Sequence, residues 1–262
     1  YFGTLQYRNN ASNNHVTFNL KLIFSQIFIA LKNKSFLIFF FGYLFIAISW
    51  GLNSSLQIYM NTYFWEFKSI MIASFLGIYA MSTFTAFLLI PRLVLYLEKR
   101  SILLFSIALA ALIPPIPIIL YINDILPDSG SWNLFFSLAP FIYIGNTCLS
   151  SSAIVRESML GDISDEVELE SKIGQQGLMF ASSSLIGKLN TGLGILVAGL
   201  ALEFIGFPRG SEILPNADQI FSLAMVQGPF VAVLMIVPFG IFFLYNIDRQ
   251  KHNTILSQLD AR

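Results

Sequence analysis

The sequence predicts an all-α membrane protein with six transmembrane helices. Of its 262 residues, 55% are hydrophobic and only 11% are charged, whereas an ordinary soluble domain has roughly 25% charged residues. The mean hydropathy is +0.69. A soluble core of this size has no use for so much apolar surface, so we expect the chain to lie in a bilayer.

Charged residues divide the sequence into six apolar stretches, and each is long enough for one membrane-spanning helix of about 20 residues. Because backbone exposed to lipid must satisfy its hydrogen bonds internally, we predict helices rather than lone strands. The predicted spans are 36–56, 69–90, 101–122, 133–154, 177–205 and 220–246. Together they form a six-helix bundle over residues 36–246.

Lysine and arginine predict the orientation, since they concentrate in cytoplasmic loops. If the N-terminus is cytoplasmic, twelve of these residues lie inside and only Lys68 and Arg209 lie outside. We therefore expect both ends to be cytoplasmic, in a multi-pass protein of the cell (inner) membrane. Residues 1–35 are predicted to be a cytoplasmic segment with a surface helix, and residues 247–262 a cytoplasmic tail. Since the first residue is Tyr rather than Met, we expect a segment of a longer polypeptide.

The composition also excludes several classes of function. The formal net charge is zero, so the chain has no basic surface of the kind that binds nucleic acid. Its one cysteine, Cys148, excludes a disulfide within the chain and a cysteine-based metal site. We expect no metal and no organic cofactor.

Lys188 lies in the fifth predicted span and is the only charged residue between Lys172 and Glu203. A charge at mid-membrane is costly and usually faces a cavity or a partner. Ser184 and Thr191 share its helical face and Ser183 flanks it, which predicts a polar cavity at this position. The alternative is a lysine that extends to the membrane surface, although at least ten residues, about 15 Å, separate it from either end of the span.

The first span has a polar stripe that includes Trp50 and Asn53. An aromatic ring beside an amide suits a sugar-like ligand, because the ring covers C–H groups while the amide binds hydroxyls. Hydrogen bonding between helices explains the same pattern equally well. Trp50 and Asn53 are therefore candidate cavity residues.

An acidic loop is predicted after the fourth span, where Asp162, Asp165 and Glu166 share a helical face. One interpretation is a cytoplasmic gate, closed by ion pairs with the basic loop residues Arg92, Lys99 and Arg100. The alternatives are a solvated turn and a divalent metal site in a membrane-embedded enzyme. The enzyme interpretation has little support, because the acids lie in one loop and the two histidines lie near the chain ends.

The run 159–207 resembles the tenth-to-eleventh-helix region of the glycoside–pentoside–hexuronide:cation symporters, the melibiose-carrier-like branch of the major facilitator superfamily. The resemblance is carried by Met159-Leu160-Gly161-Asp162, then Asp165-Glu166, then Gly177, Lys188 and the glycines at 192, 194 and 199. Gln175-Gln176 stand where many relatives have a basic residue and a Glu. No internal repeat accompanies these features.

This resemblance implies that the chain is helices seven to twelve, half of a 12-helix transporter. It further implies a cation-coupled symporter for a sugar, glycoside or similar small polar solute, working by alternating access. Lys188 matches a family lysine at the central cavity, and Ser183 and Ser184 fall where melibiose carriers have a polar pair that touches sugar. The partners implied are the bilayer, the solute and an N-terminal six-helix half, which would hold most of the Na+ or H+ site. A non-transporting membrane scaffold or truncated carrier is the remaining alternative.

Overall fold

The structure is a computed structural model that describes residues 32–172, 174, 176–208 and 213–261. Within these residues the chain is helical without strands, and six helices are long and apolar enough to cross a membrane. They are α1 (Lys34–Phe64), α2 (Ser69–Tyr96), α3 (Lys99–Ile122), α4 (Trp132–Ser171), α5 (Gln176–Phe204) and α6 (Ala217–Phe242). The prediction of an all-α protein with six spans is confirmed, and the chain is a multi-pass membrane protein.

A seventh, shorter helix follows the bundle. This helix, α7 (Arg249–Asp260), begins at Asp248, whose side chain accepts a hydrogen bond from the backbone N–H of Lys251 at 2.7 Å. It packs against α4, and we call this end of the bundle the α7 end. The surface helix predicted within residues 1–35 falls almost entirely outside the described residues.

The six long helices pack in two groups of three. In one group α1 lies between α5 and α6, and in the other α4 lies between α2 and α3. The groups meet in two apolar clusters. One lies towards the α7 end and includes Phe39, Leu160 and Phe242, whereas the other lies at the opposite end and includes Leu52 and Leu134. A cavity lies between the two groups, and its lining includes Met60, Trp65 and Phe75 of the second cluster.

Helix α4 differs from the prediction, because the segment expected to be an acidic loop is helical as far as Ser171. The helix continues because Met159, Ile163 and Val167, at successive turns, are all buried in the core. It ends at Lys172, which adopts the left-handed conformation with φ 59°. The acidic residues are therefore held on a rigid helix rather than on a loop.

Three of the long helices contain irregular turns. Helix α3 is interrupted at Ile113 and Pro114, and its second part is Pro115–Ile122, since proline provides no N–H for the preceding turn. Helix α1 ends in a π-helical turn, Met60–Phe64, and α6 contains another, Val226–Phe230, which includes Gly228 and Pro229. Both π-helical turns border the cavity.

Candidate functional site

The candidate site is a cavity of about 520 Å³ between the two groups of helices, which we call the central cavity. Its walls come from α1, α2, α3, α4 and α6. Trp50 and Asn53, predicted from the sequence to line a cavity, both do so. The volume is within the range of small-molecule sites, about 300–1,000 Å³.

One wall of the central cavity carries three amide side chains, Gln57, Asn61 and Gln227, which we call the amide triad. The Gln227 Nε2 donates to Gln57 Oε1 at 2.9 Å and to the carbonyl of Asn53 at 3.3 Å. The Gln57 Nε2 in turn donates to Asn61 Oδ1 at 3.1 Å. This chain of hydrogen bonds joins α1 to α6 and holds the three amides in fixed orientations.

The opposite wall is polar where α2 meets α4. The Asn146 Nδ2 donates to Ser82 Oγ at 2.6 Å, and the hydroxyls of Thr83 and Ser150 lie 3.1 Å apart. Asn146 and Thr83 line the cavity while making these contacts. Hydrogen bonds between helices therefore account for part of this wall.

Ser183, Ser184 and Lys188 do not line the central cavity. Ser183 is buried and its hydroxyl donates to Glu157 Oε1 on α4 at 2.7 Å. Ser184 and Lys188 are exposed on another side of α5. The structure thus separates Lys188 and Ser184 from Trp50 and Asn53, and the side chain of Thr191 lies outside the described residues.

Helix α5 is held against α1 by a close approach of two glycines. A Cβ atom added to Gly51 would lie 2.5 Å from the Asn190 carbonyl oxygen and 2.7 Å from the Gly194 Cα, so no side chain fits there. Small residues of this kind allow membrane helices to pack backbone against backbone. The contact fixes which face of α5 is turned away from the bundle.

A buried arginine lies near the Ser183 contact. The guanidinium of Arg156 is 3.8 Å from the centre of the Tyr43 ring, and the residue is 5% exposed. A cation over an aromatic face is stabilised by the charge distribution of the ring. Arg156 therefore joins α4 to α1 at the level where Glu157 joins α4 to α5.

The predicted gate acids form a cluster of charged side chains at the α7 end. Both carboxylate oxygens of Asp162 lie 2.7 Å from Lys99 Nζ. Glu166 accepts from Lys251 at 2.5 Å and from Asn33 at 3.2 Å. On the same side, His252 lies 3.0 Å from Asp165.

Of the basic residues expected to pair with these acids, Lys99 does so, whereas Arg92 and Arg100 are placed differently. Arg92 is exposed, and within the described residues it forms no ion pair with them. Arg100 donates to the backbone carbonyl of Phe243, with its guanidinium 4.8 Å from the centre of that ring. Lys251 and His252, which the sequence did not suggest for this role, take the positions expected of Arg92 and Arg100.

Tyr245 packs beneath this cluster and is 1% exposed. Burial raises the pKa of its hydroxyl well above the usual range, and the nearby carboxylates of Asp162 and Glu166 raise it further. The hydroxyl therefore stays neutral next to the acids. It makes no hydrogen bond within the described residues.

Sequence reasoning missed Asn61, Gln227 and the contribution of α7. Asn61 follows Gln57 by one helical turn, a spacing that favours contact between two amides. Gln227 had a weaker signal, a single amide directly before Gly228-Pro229 in an apolar span. For Lys251 and His252 the signal was the N-cap residue Asp248 before a run of good helix formers.

Comparison with known proteins identifies the family. Residues 2–249 match the family described as MFS/sugar transport protein. The chain belongs to this family. This MFS/sugar transport family member is also 25% identical, over 272 aligned positions and 98% of its length, to an uncharacterized symporter of Synechocystis sp. (strain ATCC 27184 / PCC 6803 / Kazusa). It spans 46% of that relative's length. The family and this relative point to a transporter rather than an enzyme.

Proposed function

We propose that the chain is the C-terminal half of a cation-coupled secondary transporter for a sugar, glycoside or similar small polar solute. The observation that carries the proposal is the central cavity, about 520 Å³ and lined by amides and aromatic rings, in a member of the MFS/sugar transport family. A cavity of this kind inside a six-helix bundle suits the half-site of a carrier that works by alternating access.

Lys188 supports a second half packed against α5. The lysine is exposed in the middle of a long apolar helix, where contact with lipid would cost several kcal/mol on most scales. We propose that this face of α5 packs against an N-terminal six-helix half, with a carboxylate or the solute opposite Lys188. In this arrangement the coupling ion, Na+ or H+, is held mainly by that half.

The charged cluster at the α7 end suits the role of an inner gate. Three acids on α4 are tied to α3 through Lys99 and to α7 through Lys251 and His252. In our proposal this end faces the cytoplasm of the cell (inner) membrane, in line with the excess of lysine and arginine on that side. Breaking and re-forming these ion pairs would accompany opening of the inner face.

The test is solute uptake by the intact polypeptide reconstituted in lipid vesicles. A panel of labelled sugars and glycosides is supplied with an inward Na+ gradient, with an inward proton gradient, or with neither. We expect at least one solute to accumulate above its external concentration, and only with one of the gradients. Accumulation should stop when an ionophore collapses that gradient, and uptake that never exceeds equilibration would contradict cation coupling.

A further inference from the structure

The amide triad is an unusual feature to find buried inside an apolar bundle. Asn61 is 4% and Gln227 6% exposed, and burying an amide is costly unless its hydrogen bonds are satisfied. A packed bundle would be stable with apolar residues at both positions, as it is at Leu52 and Leu56 on the same helix. The amides therefore call for an explanation beyond helix packing.

Both buried amides lie in π-helical turns. Asn61 is within Met60–Phe64 of α1, and Gln227 is within Val226–Phe230 of α6. Single π-helical turns are rare and occur frequently at functional sites, because the inserted residue changes the direction of the side chains that follow. Two such turns on neighbouring helices place these amides on one wall of the central cavity.

The hydrogen bonds within the triad leave some of its groups available. Gln227 uses both of its side-chain N–H groups, and Gln57 uses one together with its carbonyl. Among the described residues, the other N–H of Gln57, both N–H groups of Asn61 and the side-chain carbonyl of Gln227 have no partner. Donors and an acceptor side by side match a hydroxyl group, which donates and accepts at once.

The lining of the central cavity around the triad disfavours a charged ligand. The described residues that line the central cavity include no Asp, Glu, Lys, Arg or His. Trp50, Trp65 and Tyr79 add aromatic faces to its walls, which suit the C–H faces of a sugar ring. An ionised carboxylate would lose its hydration in this cavity and gain no counter-ion.

We propose that Gln57, Asn61 and Gln227 form the specificity-determining site for an uncharged, polyhydroxylated ring, so that neutral glycosides bind and the corresponding uronates do not. The inference rests on the proposed function and adds to it the charge of the solute and the residues that recognise it. Gln227 fixes the orientation of Gln57 and both amides contact hydroxyls, whereas Asn61 supplies donors only.

The test measures equilibrium binding of matched sugar pairs to the purified full-length protein. The probes are methyl glucopyranoside and methyl galactopyranoside, each beside its uronate, in which a carboxylate replaces the C6 hydroxymethyl group. We expect at least one neutral glycoside to bind, and its uronate to bind at least about a hundredfold more weakly. Gln57→Leu and Gln227→Leu should each weaken binding about tenfold.

Asn123→Leu is the matched control. Asn123 is also an amide at a helix end, but it is exposed, donates only to the Ile119 carbonyl at 2.8 Å and lies outside the central cavity. Its replacement should leave binding unchanged. If a leucine variant fails to fold, Gln227→Asn keeps the amide, shortens its reach and should also weaken binding about tenfold.

Three results would overturn the proposal: no binding by any neutral probe, equal binding of a uronate, or full binding by the triad variants. The outcomes that refute the triad differ from those that refute cation-coupled transport. Cation-driven accumulation of a charged solute would refute the triad as a neutral-sugar site and leave the transporter standing. If a neutral glycoside binds through the triad but does not accumulate under any gradient, cation-coupled transport would be refuted. The triad would still stand as a neutral-sugar site.

Discussion

Ser183 and Lys188 lie on different sides of α5. Five residues rotate an α-helix by about 500°, or about 140° beyond a full turn. Ser183 therefore reaches Glu157 inside the bundle at 2.7 Å while Lys188 is exposed. The close approach of Gly51 and Gly194 fixes this rotation, so the lysine is directed away from the rest of the bundle.

The close approach of Gly51 and Gly194 predicts that two glycine-to-alanine substitutions in α5 differ in their effect on thermal stability. Gly194→Ala should destabilise the protein, because the added methyl group would collide with the backbone of Gly51 and force α1 and α5 apart. Gly199→Ala is the control, since a Cβ there meets nothing within 4 Å. Thermal unfolding in detergent should give a lower Tm for Gly194→Ala only. Equal values would show that the close approach is not required.

Asp162 and Lys99 provide a test of the charged cluster. Lys99→Ala leaves a carboxylate that is only 9% exposed without its lysine, which should cost about 1–3 kcal/mol. We expect a lower Tm at neutral pH. Arg92→Ala, near the end of α2, exposed and not paired with these acids among the described residues, should unfold like the unmodified protein. A Lys99→Ala protein as stable as Arg92→Ala would mean that the pair contributes nothing.

Helix α7 should contribute to the stability of the same end. Lys251→Ala removes one partly exposed ion pair to Glu166. We therefore expect the free energy of unfolding to fall by only about 0.5–1 kcal/mol. Ending the chain after Ile247 should lower the free energy of unfolding by more than this. It also removes the buried Ile255 and the Arg249 hydrogen bonds to the carbonyls of Val94, Leu95 and Leu97.

Limited proteolysis and thermal unfolding would check the α7 prediction. Gln250→Ala is the control, because its exposed side chain makes no hydrogen bond within the described residues. If the truncated protein unfolds at the same temperature as the full chain, α7 is not docked as the structure has it.

Much of the fold could be predicted because lipid imposes simple rules on sequence. The charge pattern was sufficient for the six spans, since each charge inside a span is costly. The end of α4 could not be predicted in this way. Between Arg156 and Lys172 the charges suggested a loop, whereas buried Met159, Ile163 and Val167 keep the segment helical.

The candidate site was predicted less completely, because it depends on how the helices are rotated against each other. Trp50 and Asn53 share a face of one helix, so the sequence alone made them candidates for lining a cavity, with hydrogen bonding between helices as an equal alternative. Gln227 lies 170 positions from its partner Gln57, and no local spacing brings those two amides together. The pairing of Asp162 with Lys99 rather than Arg100 likewise depends on the angle between α3 and α4.

Replacing Lys188 in the full-length protein tests the central claim, that this lysine takes part in cation-coupled transport, most directly. Lys188→Ala should abolish gradient-driven uptake in vesicles while expression, membrane insertion and Tm stay unchanged, because the exposed lysine forms no hydrogen bond or ion pair with the part of the chain that the structure describes. Lys68→Ala, which removes an exposed lysine at the start of α2, should transport normally. Accumulation by Lys188→Ala equal to that of Lys68→Ala would contradict the account.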